Sequence, residues 1–234
     1  MLARTGAAVK VRAMWQLYQY PLCPFSRKVR IVCAEKGVVV ELVRELPWDR
    51  RDGFAKLNAA GQTPVLVDGS LILADSSAIV EYLEETIERT PLMGSGALER
   101  AETRRLSAWF DQKFYSEAVV PLLAERMFKR VVSRQPPDAA TLRSAARAVE
   151  GHLDYLDDLL DHRRWVSGIA FGVADIAAAA QISIADYLGG IDWLGHDATR
   201  QWYMAVKSRP SFRPLLAERM ESLPPPPHYD KLDF

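Results

Sequence analysis

The segment Met14-Trp-Gln-Leu-Tyr-Gln-Tyr20 alternates and is aromatic-rich, which predicts a strand. Pro21 and Pro24 punctuate it. A helical pattern follows over residues 25–36, with Val29, Val32 and Cys33 on one face, and Gly37 stands where a helix end favours a left-handed residue. The β-branched run 38–43 predicts a second strand, Pro47-Trp-Asp49 a turn, and 51–57 a weak polar helix. Thr63-Pro-Val-Leu-Val67 and Leu71-Ile-Leu73 flank the hairpin signal Asp68-Gly69. Asp75 or Ser76 then caps a helix running to about residue 88, with Ile79, Tyr82, Leu83 and Ile87 at helical spacing. The order β-α-β-α-β-β-α predicts a mixed sheet with helices on both faces.

The strand pattern stops there. Residues 90–97, with Pro91, Gly94 and Gly96, read as a linker between a 14–89 domain and an all-helical 98–222 domain. Leu142, Val149, Leu153, Leu156 and Leu160 form one stripe. Residues 174–187 are apolar and alanine-rich all round, the pattern of a helix at the centre of a bundle. Shorter helices are expected over 198–208 and 212–220. Four consecutive prolines, 224–227, favour an extended chain and open a tail over 223–234.

Composition narrows the function classes. Thirty basic residues balance thirty acidic ones, so the 234-residue chain has no general electrostatic reason to bind nucleic acid or a membrane surface. No apolar run reaches the roughly 20 residues of a membrane helix. Residues 1–13 lack the apolar centre of a secretory signal and read as a loose extension. Two cysteines are too few for a disulfide framework, and the four histidines share no metal-ligand spacing with them. The expectation is a cytoplasmic protein without metal.

Three short motifs carry candidate chemistry. Cys23-Pro-Phe-Ser26 places a thiol at the start of the first helix, where free N–H groups and the helix dipole favour thiolate. Ser26 holds the resolving position, so a second thiol must come from outside; the alternative is a structural loop cysteine. Cys33, inside the helix on its apolar face, reads as core. Pro64 enters a strand at Gln62-Thr63-Pro64-Val65, either as a ligand-facing cis proline or as an ordinary edge residue. Asp75-Ser76 opens a helix and can hold a carboxylate or simply cap.

Together these motifs closely resemble the glutathione-transferase family, over residues 15–220. The resemblance implies a thioredoxin-like α/β N-terminal domain followed by an all-α C-terminal domain. It implies a glutathione site, working or vestigial, with Cys23 and Ser26 at the catalytic position and Thr63, Pro64, Val65, Asp75 and Ser76 holding the peptide. It implies either thiol-disulfide exchange through Cys23 or activation of glutathione by Ser26. One departure is Gly172-Val-Ala-Asp175, where the family usually has Ser or Thr as the cap. The segments 177–188, 208–216 and 223–234 further resemble an alphaproteobacterial subgroup that includes a cell-division regulator binding the tubulin-like protein FtsZ. That narrower resemblance implies a homodimeric scaffold on FtsZ filaments, with Trp48 on its charged turn and Tyr229, Asp233 and Phe234 in the tail as partner contacts. Alternatives remain open from the residues themselves: Trp48 folding back over the edge of the sheet, or lining the subunit interface or the glutathione cleft, and the tail strapping the helical domain. The basic run Arg126-Met-Phe-Lys-Arg130 reads as a solvated helix end.

Overall fold

A computed structural model describes residues 14–234; the expected N-terminal extension lies outside the described residues. β1 (Trp15–Gln19), α1 (Pro24–Glu35) and β2 (Val40–Arg44) form the first unit, with β1 and β2 parallel. A single 3-10 turn (Pro47–Asp49) and the short α2 (Asp52–Ala55) lead to β3 (Val65–Asp68), β4 (Leu71–Ala74) and α3 (Ser76–Thr86). The sheet order is β2-β1-β3-β4, with β3 antiparallel to both neighbours. Alternation along β1 buries Trp15 and Leu17 towards α1 and α3, while Tyr18 meets Phe54 of α2 on the other face. β2 begins two residues later than its β-branched run suggests, because Val38 and Val39 come off the helix end before pairing starts at Val40.

The linker is held by charge. Lys36 Nζ pairs with Glu84 at 2.7 Å and donates to the carbonyls of Ile87, Arg89 and Thr90. Glu84 in turn accepts the N–H groups of Leu92 and Met93. Both charged side chains are buried, so each depends on the other.

From Ala97 the chain is one long helical rod: α4 (Ala97–Ala108), a π-wound stretch (Trp109–Val119), α5 (Val120–Leu122) and a second π-wound stretch (Leu123–Ser133). π-winding is rare outside single turns and often marks functional regions. α6 (Ala139–Leu160), α7 (Val173–Tyr187), α8 (Asp197–Lys207) and α9 (Arg213–Leu216) complete the helical half. Every residue of α7 is buried, which explains its apolar and alanine-rich surface all round. Its small residues let α1, α4 and the π-wound rod approach closely. The last helix is shorter than 212–220; beyond it the chain turns, and Met220 bridges Leu223.

Asp175 organises the start of α7. Its carboxylate accepts N–H groups from Val166 (2.7 Å), Ser167 (3.1 Å) and Gly172 (3.1 Å), and the Trp202 indole (2.8 Å). Burial raises its pKa and these hydrogen bonds lower it, leaving it above the usual value. Glycine at 172 has a steric reason: a Cβ there would meet the Leu92 carbonyl oxygen at 2.5 Å and Ser167 Oγ at 2.7 Å. That carbonyl is fixed by the Val173 N–H. Serine is a better cap in general, yet Gly172→Ser is expected to destabilise the chain by about 1–3 kcal/mol through overcrowding. Urea unfolding of the two proteins measures the sign; a more stable serine variant contradicts this account of the cap.

Candidate functional site

The strand register gathers the expected glutathione-site residues at one end of the sheet. Val65 pairs with Tyr18 on β1 and with Ala74 on β4. One step beyond on the same ladder stand Pro64 and Asp75, and β1 runs on from there into Cys23. The Thr63–Pro64 peptide is cis. Cys23 caps α1, with Pro24 at the first helical position where its missing N–H costs nothing. The thiol accepts the Ser26 N–H at 3.4 Å and donates to the Thr63 carbonyl at 3.5 Å.

The thiol therefore sits where the sequence places it, but its environment corrects the expected acidity. Cys23 is only 3% exposed, and burial pushes its pKa up against the lowering effect of Ser26, Thr63 and the helix-start N–H groups. Cys33, core as expected, is pushed up to about 12 by burial. Proximity to a helix N-terminus could be read from the sequence; the cover over the thiol could not.

Aromatic residues gather around this end of the sheet, Tyr20 and Tyr115 beside Cys23 itself. Phe25 meets Tyr115 edge-on with centroids 4.7 Å apart. Tyr20, Trp48 and Phe128 form an edge-on series, each step 5.3 Å. Tyr20 and Tyr115 both have raised pKa values, from their own burial first and then from the neighbouring Cys23. Sequence reasoning missed Tyr115 and Phe128, which come from the two π-wound stretches. The signal available was the aromatic density of Trp109-Phe110 and Phe114-Tyr115, without any indication that it faced Cys23.

Asp75 adopts a left-handed backbone (φ 75°) and its carboxylate accepts the N–H groups of Ser77 and Ala78, which caps α3. Ser76 is buried beside it. Two hydroxyls of the cleft, Ser26 Oγ and Thr63 Oγ1, are buried with no hydrogen-bond partner. Unsatisfied hydroxyls, the cis Thr63–Pro64 peptide and a helix start at Asp75-Ser76 fit a small peptide ligand in kind. Among the described residues no cluster of potential ligands could hold a metal ion.

The expected partner contacts do not form one patch. Trp48 is half-buried between Tyr20 and Phe128, so it folds back onto its own chain and ties the sheet half to the helical rod. Tyr229, expected as a partner contact, has no exposed surface. Its hydroxyl accepts from Arg27 of α1 at 2.8 Å, and its ring meets Tyr187 of α7 edge-on. Phe234 is half-buried against Trp193 and His228, with the Lys207 ammonium 4.2 Å from its centroid. Asp233 alone of the three tail residues is exposed. His228 binds buried Asp186 at 2.8 Å, and the Leu223 carbonyl accepts from Tyr187 at 2.7 Å. The tail is thus a strap over α1 and α7.

Two outcomes follow. Iodoacetamide near neutral pH is expected to alkylate native Cys23 at least about tenfold more slowly than the same residue in urea, because a buried, protonated thiol is a poor nucleophile. Peptide mass spectrometry reads both cysteines; native and unfolded rates that agree contradict a covered thiol. Deleting residues 228–234 is expected to lower the thermal midpoint by about 5–10 °C, since a buried aromatic contributes about 1.5–3 kcal/mol and Arg27 also loses an acceptor. An unchanged midpoint in a calorimetric scan rules out the strap.

Comparison with known proteins places this geometry. The glutathione S-transferase N-terminal domain profile matches residues 17–91. FtsZ-localized protein A of Caulobacter vibrioides is 43% identical over 222 residues, covering 93% of this chain and 97% of that protein. The crystal structure of a glutathione S-transferase from Rhodospirillum rubrum superposes with a TM-score of 0.92 at 45% identity, over 94% of this chain and all of that one. The structure of FzlA from C. crescentus gives a TM-score of 0.92 at 42% identity, over 94% of this chain and 99% of that one. With a thioredoxin-like half that matches the domain profile and full-length likeness at this identity, the chain belongs to the glutathione S-transferase family.

Proposed function

We propose that the chain is a cytoplasmic scaffold of glutathione S-transferase fold that docks as a homodimer on FtsZ filaments. The observation that carries this reading is its likeness, along nearly its whole length, to FtsZ-localized protein A. The cleft supports it. The Thr63 carbonyl already accepts the Cys23 thiol, and the Asp75 carboxylate already caps α3. A thiol whose pKa is raised by burial supplies little thiolate near neutral pH. Among the described residues no helix is long and apolar enough to cross a membrane.

A second reading has its own support. Ser26 Oγ and Thr63 Oγ1 are buried without partners beside Cys23, and a bound glutathione offers the polar atoms they lack. In that reading Thr63, Pro64 and Val65 hold the cysteinyl backbone, Asp75 and Ser76 hold the γ-glutamyl end, and Cys23 exchanges disulfides with glutathione.

The scaffold reading is tested by co-pelleting with FtsZ polymerised with GTP. The chain is expected in the pellet only when FtsZ is present, and light scattering is expected to give twice the chain mass. Protein that stays in the supernatant at every FtsZ concentration ends this reading. Retention on glutathione-agarose together with disulfide reduction that is lost in Cys23→Ser establishes the second.

A further inference from the structure

A recess of about 740 Å³ lies away from Cys23 and the residues around it. It runs between the end of the π-wound rod, the end of α7 and the proline strap. Five prolines wall it, Pro136 and Pro137 on one side and Pro224, Pro225 and Pro226 on the other. Arg126, Arg130 and Arg134 line it at four-residue intervals. The basic run that reads as a solvated helix end is thus one wall of a groove.

The three arginines are not equivalent. Arg126 is spent on structure: it donates to the Leu188 and Gly189 carbonyls at the end of α7. Gly189, at φ 66°, permits this, since a Cβ there would meet the Arg126 guanidinium at 2.9 Å and Pro226 at 3.3 Å. The Arg130 and Arg134 side chains are exposed and form no hydrogen bond or ion pair among the described residues. The one acidic residue in the lining, Glu125, is already engaged by Lys129 at 2.7 Å and by the Asp138 N–H at 2.6 Å. A chain of zero net charge therefore concentrates uncompensated positive charge in this recess.

We propose that this groove docks an acidic protein segment in extended conformation, with Arg130 and Arg134 holding its carboxylates and the proline walls packing its backbone. Arginine suits this role because its planar fork pairs with a carboxylate through two parallel hydrogen bonds. Proline has no N–H to donate, so strand addition is not available along these walls, and recognition falls to charge and apolar contact. Rigid walls also lose little entropy on binding. Single-stranded nucleic acid suits the groove less well, because it needs open aromatic faces on which bases can stack. The groove's single aromatic, Tyr187, is 1% exposed and its hydroxyl is bonded to Leu223 and Met220. This inference stands apart from the FtsZ reading and survives its failure.

The test is fluorescence anisotropy with the full chain and a labelled peptide of alternating glutamate and proline, about twelve residues long, at about 0.02 M and 0.15 M salt. A lysine-proline peptide and an oligothymidylate of equal length serve as competing probes. The glutamate peptide is expected to bind, more weakly at the higher salt. Arg130→Glu with Arg134→Glu is expected to lower its affinity at least about tenfold. Arg147→Glu with Arg213→Glu, the same charge change at exposed sites outside the groove, is expected to change it less than about twofold. All four positions are exposed, and circular dichroism confirms that each variant is folded. No binding of the glutamate peptide at low salt overturns the proposal. So do equal losses in the two double variants, equal binding of the lysine peptide, or oligothymidylate binding as tight and as dependent on Arg130 and Arg134.

Discussion

Two cations on α1 hold the halves of this molecule in register. Arg27 and Lys28 are buried where α1 meets the helical half, and a buried charge without partners is prohibitively costly. Lys28 finds Asp111 at 2.5 Å, with Gln181 of α7 bonded to the same carboxylate at 3.3 Å. Arg27 finds Ser183 of α7 and Tyr229 of the tail, each at 2.8 Å, and the Pro21 carbonyl at 2.8 Å. Partners so placed come from the rod, from α7 and from the last residues of the chain. The sheet half cannot shift against the helical half without stranding a charge. Glu35 at the end of α1 adds a third tie, bidentate to Arg209 with both distances 2.8 Å.

The same seam forms the back of the Cys23 cleft. α1 presents Cys23 and Phe25 at its start, and the rod that pairs with Lys28 brings Tyr115 against them. Fixing α1 against the rod therefore helps keep Cys23 buried, and burial raises the thiol pKa. A site chemistry built for thiolate is thereby muted by the packing that stabilises the fold. The groove beyond the rod is different, because its exposed arginines have been left without acidic partners.

The proline tail belongs to this architecture. Pro224 to Pro226 carry the chain on from Leu223, and a turn from Pro227, closed by the Tyr229 N–H on the Pro226 carbonyl, brings Tyr229 to Arg27, so the expected extension does not run through all four prolines. The tail then ends on Lys207, Tyr203 and Trp193 through Phe234 and His228. Stiffness lowers the entropy lost on docking, so a few contacts suffice to keep the strap in place.

Local signals determined much of this protein. Period-two alternation placed β1, Asp68-Gly69 placed the hairpin, Asp75 capped α3, and the all-round apolar surface of 174–187 marked the central helix. Each of these depends on neighbours within a few residues, so the order β-α-β-α-β-β-α and the Cys23, Thr63-Pro64 and Asp75-Ser76 motifs were legible without coordinates. The tertiary structure decided what long-range contact controls. It buried Cys23 beside Tyr20 and Tyr115, turned Trp48 and Tyr229 inward, required glycine at 172 through the Leu92 carbonyl, and made a groove wall of the basic run at 126–130. Burial and pKa depend on which distant groups exclude water from a side chain, and nothing in the local pattern of a sequence encodes that.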